Sequence, residues 1–145
     1  MTFLRKTSMI VAALVATHTA ASATADPITL LEAGDAVWQT TPEGVEFASL
    51  QGDRFMEAYQ ALVRLPAGTV SPLHVKTANM FGVMLQGEMV HYADHEDPQA
   101  ARRIGPGAFY SIAAGTAHIS ACVSSIPCVT YLYQDGAFDF LPVQP

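Results

Sequence analysis

From residue 45 onward, apolar and polar positions alternate in short runs, and the runs are broken by glycine- and proline-containing turns. Alternation with a period of two is the signature of strands with one face buried. The runs predict strands over residues 45–50, 58–65, 70–76, 79–85, 88–92, 108–112, 118–122, 128–134 and 138–143. Pro66-Ala67-Gly68, Gln86-Gly87, Gly105-Pro106-Gly107, Ala114-Gly115 and Asp135-Gly136 supply the turns between them. Helical spacing is almost absent after residue 26. Residues 57–62 have some helix formers, but Tyr59, Leu62 and Val63 suit a strand equally well. The pattern predicts an all-β fold, an antiparallel barrel or sandwich in one domain.

The N-terminus follows a different pattern. Arg5 and Lys6 precede an apolar run over residues 9–16, and small residues follow at Ala21-Ser22-Ala23 and Ala23-Thr24-Ala25. The run is shorter than the roughly 20 residues a membrane helix needs. Its order of parts is that of a secretory signal peptide, residues 1–25, leaving residues 26–145 as the exported domain, periplasmic or secreted. Removing the leader leaves five basic against thirteen acidic residues, a formal charge of −8. Such a surface repels phosphate backbones, and Arg54, Arg64, Lys76, Arg102 and Arg103 form no stripe, so nucleic acid is excluded as a partner. No later segment is long enough to cross a membrane as a helix. Cys122 and Cys128 flank a turn-like stretch; they either pair across a hairpin, as an oxidising compartment allows, or remain free on adjacent strands.

The chemistry is read from inward parity. His74 and Lys76 are two residues apart and share a face, as do Met80 and Gly82 on the next strand. A tight hairpin at Gln86-Gly87 would set Gly82 near-opposite His91, whose ring a glycine accommodates. His118 opens a further strand after a glycine turn. In this register His74, His91 and His118 converge. The aromatic residues Trp38, Phe47, Phe81, Phe109, Tyr131 and Tyr133 are expected to line the core, with only one of Phe109 and Tyr110 facing inward. Met80, Met84 and Met89 are expected to pack, and His95 to sit on the surface in an acidic loop.

Residues 68–87 (GTVSPLHVKTANMFGVMLQG) resemble the first sequence motif of the cupin superfamily, with Gly68, His74 and Gly87 in place. Residues 107–118 (GAFYSIAAGTAH) resemble the second, through Gly107, Gly115 and His118. The resemblance covers about residues 45–143 and is nearest to small, single-domain ChrR-like cupins, including a bacterial branch of unknown function. It implies a cupin-type β-barrel (double-stranded β-helix, jelly roll) enclosing a small-molecule site. It also implies a divalent transition metal such as iron, zinc, nickel or copper, here held by His74, His91 and His118. Lys76 and Met80 stand where that pattern has a histidine and a glutamate, so two usual ligands are missing. The expected activity is that of an oxygenase, lyase or isomerase acting on a small organic molecule, with His74, Lys76 and His118 as catalytic groups. The alternative is a metal-free pocket in which Lys76 attracts an anionic ligand or serves acid/base or Schiff-base chemistry, or a binding or sensory module without turnover. A homodimer is the expected assembly.

Overall fold

Each segment predicted from alternation overlaps an observed strand in the computed structural model, which describes residues 28–143. The predicted leader lies outside the described residues. In chain order the strands are β1 (Trp38–Thr40), β2 (Glu46–Gln51), β3 (Tyr59–Leu65), β4 (His74–Val75) and β5 (Met80–Gln86), then β6 (Met89–Ala93), β7 (Phe109–Ile112), β8 (His118–Cys122), β9 (Cys128–Gln134) and β10 (Leu141–Pro142). A 3-10 turn, Ala33–Asp35, precedes them. Strand β1 has no counterpart in the sequence prediction.

The strands form two antiparallel sheets, ordered β1-β2-β3-β9-β5-β7 and β10-β4-β8-β6. From β3 onward every connection passes from one sheet to the other, so the chain winds around a shared interior. This is the double-stranded β-helix predicted for the chain. Long strands keep strict alternation: in β3, Tyr59, Ala61, Val63 and Leu65 are buried and the residues between them are half-buried. They join Phe47, Met80, Met84, Met89, Cys122, Cys128 and Leu132 in one core. Full burial of a side chain such as Met84 contributes about 1.5–3 kcal/mol.

The alternation between sheets corrects two expectations. Gln86-Gly87 does not close a hairpin ladder, because β5 and β6 belong to different sheets. Gly82 therefore faces Tyr110 and Leu132 rather than His91. A Cβ added at Gly82 would lie 2.2 Å from Tyr110 Cζ, so the missing side chain makes room for a tyrosine ring. Likewise Cys122 and Cys128 do not pair across a hairpin. They form a disulfide, Cα to Cα 5.7 Å, that joins the end of β8 in one sheet to the start of β9 in the other. Gly87 (φ 76) passes beside this bridge, where a Cβ would meet Cys128 Sγ at 2.9 Å.

The aromatic expectation also needs correction. Phe47 is in the core, but Phe109 is 63% exposed, and Phe81 and Tyr133 stack on each other where Tyr133 is exposed. Trp38 is half-buried and carries the Arg64 guanidinium 3.8 Å above its ring. These residues follow the outward parity of their strands, and it is Tyr110, not Phe109, that turns in. Met80, Met84 and Met89 are buried and His95 is exposed, as expected.

Candidate functional site

Two histidines open two neighbouring strands and meet. His74 at the start of β4 pairs directly with His118 at the start of β8, and their ring centroids are 4.3 Å apart. Both are buried, 4% and 3% exposed. The same local device orients each ring. His74 Nδ1 lies 2.9 Å from the carbonyl oxygen of Pro72, and His118 Nδ1 2.9 Å from that of Thr116. A carbonyl only accepts, so each Nδ1 donates its proton, and each Nε2 is left with its lone pair.

His91 lies on β6, opposite Ser120, two residues beyond His118 along β8. Period-two geometry puts it on the same inner face, one layer deeper. Its Nδ1 is 2.8 Å from Ser120 Oγ, and its ring rests on Tyr110 with centroids 4.4 Å apart. The glycine at 82 thus bears on His91 after all, through the tyrosine it accommodates. The Nε2 atoms of His91 and His118 are buried without a hydrogen-bond partner, which is uncommon for buried polar atoms.

Burial keeps all three imidazoles neutral. It lowers the His74 pKa to about 4, opposed by the hydrogen bond to Pro72 and reinforced by His118 and Lys76. It lowers His91 to about 4 as well, with His118 and then His74 adding to the effect. His118 is shifted down for the same first reason.

Lys76 shares the inner face with His74 and is 8% exposed. Its ammonium is not in water. Nζ donates to the backbone carbonyl of Asp139 and lies 4.2 Å from the Phe138 ring centroid and 5.6 Å from that of Phe140. Burial lowers its pKa to about 8, with the Asp139 carboxylate opposing the shift. That carboxylate also accepts the Thr77 N–H at 3.0 Å.

Residues 138–140 were expected to be strand. Instead they form an irregular strap between β9 and β10, and they roof the histidines. Phe140 stacks on His74 at 4.1 Å with planes 17° apart. Phe138 packs edge-on against Phe47 at 5.5 Å. Sequence reasoning missed this roof because no local pattern marks an aromatic residue that reaches a histidine on a distant strand. It also missed Ser120 and Gln134, whose inward parity was available. Gln134 is fully buried, accepts the Tyr59 hydroxyl at 3.3 Å and donates to the Ala137 carbonyl at 2.7 Å.

As metal donors the imidazoles fit in kind. They are neutral, anchored through Nδ1 and open at Nε2, the arrangement that outer-shell hydrogen bonds impose on ligating histidines. Met80 occupies the carboxylate position of the motif with a buried thioether. Among the described residues no three His, Cys, Asp or Glu side chains are gathered closely enough to hold an ion as they stand. His95 takes no part; its ring is exposed, 3.2 Å from Asp94.

Comparison with solved structures agrees with the topology. An RmlC-like cupin from Shewanella frigidimarina superposes with TM-score 0.62 at 10% identity, over 79% of this chain and 95% of that one. The polyketide cyclase RemF from Streptomyces resistomycificus gives 0.64 at 14% identity, over 81% and 87%. The complex of Rhodobacter sphaeroides SigE with the anti-sigma ChrR gives 0.56 at 23% identity, over 72% and 51%. These likenesses establish the cupin fold. No curated protein matches the sequence. The family described as a domain of unknown function, DUF4437, matches residues 11–141, and the chain, folded as a cupin, belongs to that family.

Proposed function

We propose that this protein is an exported, ChrR-like cupin that binds a divalent transition metal at Nε2 of His74, His91 and His118 and acts on a small organic molecule in the barrel. The observation that carries this reading is the shared state of the three rings: Nδ1 engaged, Nε2 open, and two of the open nitrogens buried without a partner. Bound there, an ion would act as a Lewis acid toward a substrate oxygen, with coordination positions left open. The chain's own groups have definable parts. Lys76 draws an anionic oxygen toward the mouth and, with its pKa near 8, can give or take a proton close to neutral pH. The Tyr110 hydroxyl, raised to about 12 by burial, stays protonated and donates to Thr130 Oγ1 at 3.3 Å, which fixes the ring that supports His91. Phe140, stacked on His74, keeps water from that ring, and Phe138 covers the Lys76 ammonium. The leader and the disulfide support export.

The test is metal content of protein expressed in full with iron, nickel, copper or zinc supplied. The expected result is about one ion per chain with at least one metal, lost on His118→Ala and reduced on His91→Ala. Sub-stoichiometric metal under every condition, unchanged by His74→Ala, overturns it. A second reading is then favoured by the absence, among the described residues, of a gathered three-ligand group. In it the pocket is metal-free, and Lys76 with His74 and His118 binds an anionic ligand without turnover or with Schiff-base chemistry. Borohydride trapping with small carbonyl compounds separates those two forms, since only the second yields an adduct at Lys76.

A further inference from the structure

Neither reading uses Arg54, in the loop between β2 and β3. Its guanidinium carbon lies 4.5 Å from the ring centroids of both Phe47 and Phe55 and 5.6 Å from that of Phe138. Cation–π contact of this kind uses none of the N–H donors of the guanidinium, which stay available to an anion. Among the described residues no carboxylate lies within ion-pair range of it, and its buried Nη1 has no hydrogen-bond partner. Arg64 shows the contrast. It stacks on Trp38 in the same way, but its Nη1 is paired with Glu46 at 3.0 Å. Arg54 is the same arrangement with the carboxylate missing.

A cavity of about 330 Å³ adjoins Arg54, with Phe47 and Phe55 as apolar wall and Gln39 and Ser49 as polar groups. Asp53 also lines it, with Oδ1 accepting the Phe55 N–H at 2.9 Å. The cavity volume suits a small molecule. We infer that this cavity is a binding site for a small monocarboxylate with an apolar body, the carboxylate taken by the Arg54 fork and the body by Phe47 and Phe55. Phe138 separates it from Lys76, touching both cations. The site therefore stands apart from the histidines and does not depend on a metal.

Benzoate and hexanoate are suitable probes, with benzamide as the uncharged control, followed by calorimetry and by chemical-shift perturbation. Both acids are expected to bind saturably and benzamide at least tenfold more weakly. Arg54→Gln should weaken the acids at least tenfold, and Arg54→Lys should restore part of the affinity, because an ammonium supplies charge without the fork. Should Arg54→Gln fail to fold, Ser49→Leu fills the cavity with the guanidinium intact and should abolish binding equally. Failure of both acids to bind at about 10 mM, equal binding of benzamide, or affinity unchanged in Ser49→Leu overturns the inference.

Discussion

The two ends of this barrel are closed by different means. At one end the Cys122–Cys128 bridge ties the sheets covalently, with Leu65 paired to Cys128, Met89 paired to Cys122 and Gly87 passing beside it. At the other, β4 and β10 are two residues each, and the sheets are spanned by the strap over His74, Lys76 and His118. The first end is closed by apolar packing around the bridge. The second gathers buried imidazoles, an ammonium and a guanidinium under two phenylalanines. The covalent closure and the buried ionisable groups are thus segregated along the barrel axis.

The largest effect is expected in the wall between the ends. Gly82→Ala places a methyl group 2.2 Å from the Tyr110 ring, and the resulting repacking should destabilise the fold by about 3 kcal/mol or more. Chemical denaturation measures it; a loss under about 1 kcal/mol would show that Tyr110 can leave its position cheaply. Opening the covalent end comes next. Replacing both cysteines by serine releases a short loop, sequence separation 6, and should remove about 2 kcal/mol of stability while leaving His74 and His118 titrating as before. A change in those titrations would show that the two ends are coupled.

Acid should act on the other end. His74 and His91 titrate near 4 in the fold and near 6.5 when unfolded, so between these values the unfolded chain binds more protons. Stability is full above about pH 6.5 and falls as pH drops toward 4. A midpoint of denaturation flat over this window would mean that the rings are hydrated. The smallest effect is expected for Phe140→Ala, about 1 kcal/mol, because Phe140 is 38% exposed. Its signature is a His74 pKa that moves up toward 6.5, read by NMR titration, with His91 unchanged.

The sequence was most informative where the physics is local. Period-two parity placed His74, Lys76, His91 and His118 on inner faces, and glycine turns marked the strand ends. It was misleading where topology decides. Gln86-Gly87 and the stretch between Cys122 and Cys128 look like hairpins, yet each carries the chain between sheets, which no nearest-neighbour signal records. The error moved Gly82 from His91 to Tyr110 and turned an expected hairpin disulfide into a bridge between sheets. Strand β1 was missed because Trp38–Thr40 is short and no buried residue marks an inner face. The roof was missed because Phe140 and Asp139 act on partners more than 60 residues away, through contacts with no periodicity.

That separation has a consequence for how the protein breathes. Lys76 and Asp139 are 63 residues apart, and the roof hangs on the two residue pairs of β10 with β4, whereas β3 and β9 share an unbroken seven-pair ladder. Local opening draws on the least-paired elements. Amide exchange should therefore release Thr77 and Val143, whose N–H groups bond across this seam, long before the β3–β9 ladder yields. Opening at this rim would expose the histidines, while the bridged end stays folded and keeps the register for reclosure.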